Sequence, residues 1–174
     1  MKKQIIGLSG YRCSGKSVLR QLLVKNGYDV FDTNSVPTGD NDANQVSFDV
    51  IERYGKGSSL MYFLEDSLRK YVESSGRFVF IDSFKTYKDY EVVSEMFPES
   101  NVAIWYVHAS YKLRVSRYKV RDLDAGVRSQ KLSEHDDSLD KFGMPALIKH
   151  ASYVVNMDDD KDKILQNVLR QIMK

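Results

Sequence analysis

Five short apolar runs punctuate the chain, at residues 4–8, 28–32, 77–82, 102–107 and 153–156. Most of their positions are β-branched or aromatic, and apolar side chains fall on consecutive positions rather than alternate ones. That pattern predicts strands buried on both faces, as in a parallel sheet covered by helices. Stretches of helical spacing lie between them. Within 16–26, Val18, Leu19, Leu22 and Leu23 make one stripe and Gly27 supplies a stop. Residues 59–74, 87–97, 111–121 and 161–173 carry the same period. Strands alternating with helices predict a doubly wound, three-layer α/β fold, whose ligands meet the carboxyl ends of the strands.

Two intervals break the alternation. Residues 33–47 are polar and hold Pro37 and Gly39; residues 122–134 are charged and hold Gly126. The first precedes a helical pair and the second separates two helical patterns; both read as surface loops or as mobile segments that cover a substrate.

Length and composition narrow the picture only a little. The chain's 174 residues suit one domain, 1–174, and 42% apolar with 29% charged residues reads as a soluble globular protein. A net charge of +2 is too balanced to argue for nucleic acid or a membrane surface. The apolar run near the N-terminus is too short for a signal peptide or a membrane span. Cys13 is the one cysteine, so no intramolecular disulfide forms and a reducing cytoplasm is the expected setting. A monomer or a small homo-oligomer is expected.

The most specific chemistry lies between the first strand and the first helix. Gly10, Tyr11, Arg12, Cys13, Ser14, Gly15, Lys16 and Ser17 match the phosphate-binding pattern G-x-x-x-x-G-K-S/T at every position. Glycines there let the backbone turn sharply and aim successive N–H groups inward, and the helix dipole adds to the field. Lys16 is expected on the β- and γ-phosphates of ATP or GTP, and the Ser17 hydroxyl on Mg²⁺. Cys13 lacks a histidine base in spacing or sequence, so it reads as a small residue fitted to the loop.

Two strand-end acids follow. Asp82 closes an apolar strand, which predicts an Mg²⁺ ligand or, alternatively, a cap for the next helix. Asp32 closes the second strand, where it would orient an acceptor hydroxyl or take its proton. Arg114, Arg117 and Arg121 share one helix face, and residues 111–121 contain no Asp or Glu. Together with Arg128 in the charged interval, this locally uncompensated stripe suits a polyphosphate; a basic surface for RNA is the competing reading. His108, His135 and His150 show no metal-ligand spacing, and Trp105 reads as core.

These residues carry a resemblance. The order of P-loop, Asp32, Asp82 and arginine-rich segment resembles nucleoside-monophosphate kinases and dephospho-CoA kinases. Ile6-Gly7-Leu8-Ser9-Gly10 and Tyr28-Asp29-Val30-Phe31-Asp32 look especially like the latter. Ile81-Asp82-Ser83-Phe84-Lys85, His108-Ala109-Ser110, Phe142-Gly143-Met144 and Ala151-Ser152-Tyr153-Val154-Val155-Asn156 are similar to a largely archaeal dephospho-CoA-kinase-like group. The resemblance implies a P-loop NTPase fold with a five-stranded parallel sheet ordered 2-3-1-4-5. It further implies an acceptor-binding insertion at about 36–75 and a lid at about 121–135. Asp32 then matches the acid that serves as base, and Arg117 and Arg121 match phosphate-binding arginines. The chain departs from these relatives at Ser83, Lys85 and His135, where Gly, Arg and Arg are usual.

The expectation is therefore an ATP- and Mg²⁺-dependent kinase of a nucleotide-like small molecule, dephospho-CoA or a nucleoside monophosphate. A nucleotide-dependent switch or slow NTPase acting on a protein partner is the alternative, and it needs no base at Asp32.

Overall fold

The computed structural model describes residues 2–33, 59–125 and 132–174, with 121–125 described as helix backbone only. Strands β1 (Gln4–Ser9), β2 (Asp29–Asp32), β3 (Phe78–Asp82), β4 (Asn101–His108) and β5 (Tyr153–Asn156) make one sheet in the order β2-β3-β1-β4-β5. Every pairing is parallel. Both the all-parallel character and the strand order agree with expectation.

The consecutive apolar positions of each strand serve both faces of the sheet. Ile5, Phe31, Val79, Ile81 and Ile104 join one core cluster; Ile6, Leu8, Phe80, Trp105, Val107 and Val155 join the other. Helices α1 (Lys16–Lys25) and α7 (Lys161–Ile172) feed Leu19, Leu23, Ile164, Val168 and Ile172 into the second cluster. Helices α2 (Glu65–Ser74), α3 (Tyr87–Met96) and α6 (Met144–Lys149) feed Leu68, Val72, Val92, Val93 and Leu147 into the first. Among the described residues there are also α4 (Tyr111–Ala125) and α5 (Leu132–Lys141), the latter adding Leu139 to the first cluster. Trp105 is core, packed edge-on against Phe80 and Tyr153.

The structure differs from expectation in three stretches. The helical pattern at 59–74 divides into a 3₁₀ turn (Leu60–Tyr62) and α2, because the Ser59 side chain accepts from the Met61 N–H and tightens the entry. The helix expected to stop at 121 runs on to Ala125, so the charged interval 122–134 is partly helical from both ends. Helix α5 begins at Leu132, inside the interval read as a charged loop, and α6 is a separate helix of six residues, too short for a periodic signal. Residues 36–58 of the expected insertion, and Arg128 of the expected lid, lie outside the described residues.

One glycine decides how the site is built. A Cβ on Gly7 would lie 2.1 Å from the Phe84 ring, so this position of β1 is left bare for a side chain arriving from beyond β3. Phe84 is 1% exposed and donates its N–H to the Leu8 carbonyl at 2.8 Å. The β3–α3 connection is thereby drawn across the end of β1.

Candidate phosphate-transfer site

The turn between β1 and α1 has the geometry of an anion cradle. Cys13 and Gly15 adopt left-handed backbone, with φ of 61° and 108°. A short left-handed break between β1 and a helix is the conformation that turns successive amides toward one point. Cys13 takes it at a cost of about 1 kcal/mol for a non-glycine residue. A Cβ on Gly10 would lie 2.5 Å from the Val107 carbonyl, so only glycine fits where β1 passes β4. Gly15 is the N-cap of α1 and makes no side-chain cap, which leaves the first-turn amides for an external anion.

Two further observations fit a phosphate group to this cradle. Ser14 is 2% exposed, and its Oγ is fully enclosed with no hydrogen-bond partner among the described residues. Such an orphan wants a ligand acceptor or donor. The Lys16 ammonium lies over the loop, donating to the Gly10 carbonyl and, at 3.3 Å, to that of Tyr11. Ser17 is exposed at the start of α1.

The two strand-end acids meet here. Asp32 and Asp82 are register partners across β2 and β3, which puts both carboxyl ends side by side. Asp82 does not cap α3; Thr86 does, in a reciprocal box with Asp89. Burial pushes the Asp82 carboxyl above its usual range, and Asp32 adds to that; Lys16, Arg20 and Lys85 pull the other way. Arg20 connects the pair. Its guanidinium forms an ion pair with Asp32 and stands 3.7 Å from Asp82 Oδ2. Thr33 continues the arrangement, donating both its N–H and its hydroxyl to the Asp82 carbonyl at 2.8 Å.

Asp89 fixes the connection that carries Lys85. Wholly buried, it accepts from the Lys85 and Thr86 N–H groups at 2.7 and 2.9 Å and from the Ser59 hydroxyl. Burial raises its carboxyl pKa, against those hydrogen bonds.

The arginines reach the cradle from α4. Arg117 donates to the Ser14 and Cys13 carbonyls at 3.0 and 3.3 Å and to that of Met157 at 3.2 Å. Arg114 reaches the Arg12 carbonyl at 3.4 Å, lies over the Tyr11 ring, and forms a two-point ion pair with Asp136. Residues 111–121 hold no acid of their own, and for Arg114 it is α5 that supplies one. Arg12 lies over the Tyr118 ring. Arg121 is placed on α4 by backbone alone.

Helix α5 is thus tied to the loop. Tyr11 donates its hydroxyl to Asp140, and burial together with that bond raises the phenol's pKa. His135 is held below the usual imidazole range by burial, then by Arg12; Lys16 and Lys85 add to this and Asp136 opposes it. The roles of Asp136 and Asp140 are not signalled by the sequence because their partners lie far along the chain, in α4 and the P-loop; Leu132 and Leu139 complete the seat of the helix. Arg20 was missed too, although it stands one helical turn after Lys16, where side chains share a face.

In sequence, the chain matches no protein-family model and no curated protein. Among solved structures it is similar to TT1252 from Thermus thermophilus, at 16% identity and TM-score 0.59, covering 99% of this chain and 97% of that one. It is also similar to shikimate kinase from Acinetobacter baumannii in complex with shikimate, at 13% identity and TM-score 0.54, covering 99% and 94%. Shikimate kinase from Bacteroides thetaiotaomicron gives 14% identity and TM-score 0.55, covering 99% of each chain. Likeness at such identity shows the fold: a three-layer P-loop NTPase fold around a five-stranded parallel sheet.

Proposed function

We propose that the chain is an ATP- and Mg²⁺-dependent kinase of a small molecule. The observation that carries this reading is the register pairing of Asp32 with Asp82 beside the phosphate cradle. A nucleotide switch needs one acid near the metal. A second acid at the neighbouring strand end, on the side where an acceptor would approach, is what transfer to a hydroxyl or phosphate oxygen calls for.

In this reading the Lys16 ammonium and the amides of the cradle bind the β- and γ-phosphates. Ser17 and Asp82 would hold Mg²⁺, which supplies positive charge toward the transferred group. Asp32 orients the acceptor or takes its proton, while Arg117 and Arg114 reach the cradle and would serve the phosphates, a role also proposed for Arg121 and Arg128. The arginines and α5 also exclude water, which keeps the phosphoryl group from hydrolysis. Among the described residues no group of three or more His, Cys, Asp or Glu could hold a metal ion. This suits Mg²⁺, which takes one or two carboxylates and completes its shell with phosphate oxygens and water.

For the acceptor we propose a nucleotide-like molecule, dephospho-CoA or a nucleoside monophosphate, on the resemblance of residues 6–10 and 28–32. Residues 36–75 would bind it and 121–135 close over it. No described helix is long and apolar enough to cross a membrane, and with its lone cysteine we place the protein in the cytoplasm. The test is ADP formation from Mg·ATP with dephospho-CoA, nucleoside monophosphates, nucleosides and shikimate as acceptors. The reading expects at least one acceptor to turn over at roughly 1 s⁻¹ or faster, as ordinary enzymes do. ADP formation at the acceptor-free background with every compound overturns it.

A further inference from the structure

The acid that would hold a metal, Asp82, and its neighbour Asp32 already share a cation of the chain's own. Arg20 projects from α1 one turn beyond Lys16, and its Nη1 contacts Asp32 Oδ2 while lying 3.7 Å from Asp82 Oδ2. The two acids are held at that spacing by the β2–β3 register, so one guanidinium nitrogen spans both. The Asp82 side chain is only 7% exposed, whereas those of Asp32 and Arg20 are 24% and 28% exposed. Arg20 and Asp32 are thus the solvent-reached members of the group, and Asp82 is enclosed behind them.

A divalent ion arriving alone would have to displace this guanidinium, and would gain two carboxylates at most. Mg²⁺ prefers six oxygens and gives up water reluctantly. An ion arriving on a triphosphate brings phosphate oxygens with it, and the cradle and Lys16 then add binding energy of their own. We propose that Arg20 is a counter-cation that closes the Asp32–Asp82 pair to free divalent ions, so that metal enters this site together with the nucleotide. Arg20 is thus a positioning residue that acts through the two acids. The proposal rests on the nucleotide-binding reading of the cradle, though not on any particular acceptor.

The test counts free Mn²⁺ by electron paramagnetic resonance during titration of the whole chain. It is run with and without a non-hydrolysable ATP analogue, for wild type, Arg20→Met, Arg20→Gln and Arg20→Lys. Without nucleotide, Arg20→Met and Arg20→Gln should bind Mn²⁺ about tenfold tighter than wild type, because a like charge beside the site is gone. Arg20→Lys keeps the charge and should stay close to wild type. The analogue should tighten Mn²⁺ binding in wild type and narrow the gap between variants. A variant that merely damages the site would bind more weakly, so the sign separates the two roles. Unchanged or weaker Mn²⁺ binding in both neutral variants overturns the proposal, as does wild type that binds free Mn²⁺ as tightly as it does with the analogue. Tighter binding in the neutral variants alongside no phosphoryl transfer to any acceptor would uphold this inference and remove the kinase reading instead.

Discussion

Arg114 of α4 and Asp136 of α5 face each other through two hydrogen bonds of 2.9 and 2.8 Å, with their side chains only 9% and 15% exposed. This pair seats the helix that carries His135 and Asp140 against the P-loop. Removing one partner strands a charge that water barely reaches. Asp136→Ala should lower unfolding free energy by about 3 kcal/mol, read as a shifted urea midpoint at unchanged slope. A shift within experimental error would mean that α5 is held by other contacts.

Lys16 lies over the cradle, donating to the Gly10 and Tyr11 carbonyls, whereas the loop's other cation, Arg12, lies over the Tyr118 ring. Lys16→Met should weaken ATP binding or turnover by roughly 10²–10³-fold, the scale of losing one preorganised charged contact. Calorimetric titration with an ATP analogue measures it, and the folded state should survive because Lys16 lies outside both core clusters. Wild-type affinity in this variant would sever the loop from phosphate binding.

Gly7 and Phe84 form a size-matched pair, the bare backbone of one receiving the ring of the other. Gly7→Ala forces the ring aside and should cost about 2 kcal/mol, as overpacking does. Phe84→Leu trims the same contact from the other side. In the double variant the losses should fall short of their sum by about 1 kcal/mol, since the two residues touch. Strict additivity in a double-mutant cycle would show that the clash is absorbed elsewhere.

His135 gives the protein a specific pH response. In the unfolded chain its imidazole takes a proton near pH 6.5. In the folded protein burial and the charges of Arg12, Lys16 and Lys85 push that uptake lower, despite Asp136. Between the two values the unfolded state binds more protons, so folding stability falls as pH drops below about 6.5 and gains nothing above it. His135→Gln should flatten that decline in urea midpoints taken at about pH 7.5, 6.5 and 5.5. An unchanged slope would assign the acid sensitivity to other groups.

Much of this molecule is legible in its sequence, for definable reasons. The strands announce themselves because both faces of β1, β3 and β4 are covered, so Ile5, Ile6, Val79, Phe80, Ile104 and Trp105 are all apolar. The P-loop is legible because Gly10, Gly15 and Lys16 answer to fixed geometry. The anchoring of helix α5 is not, because Asp136 and Asp140 look like solvated acids until Arg114 and Tyr11 are placed against them. Arg20 is illegible for a similar reason: its partners lie 12 and 62 positions away, and only the β2–β3 register brings them together. Asp82 shows the opposite lesson. Of its two sequence readings, metal ligand or helix cap, the second falls once Thr86 is seen to cap α3.

Thr33 and Ser59 bracket the stretch of chain between β2 and α2, and both are moored to the same short span, at Asp82 and Asp89. The strand end that carries Asp82 and the backbone that carries Lys85 are therefore gripped from both sides by hydroxyl groups. A loss at either hydroxyl reaches the same few residues, so the β3–α3 connection behaves as a common fastening rather than as two separate ones.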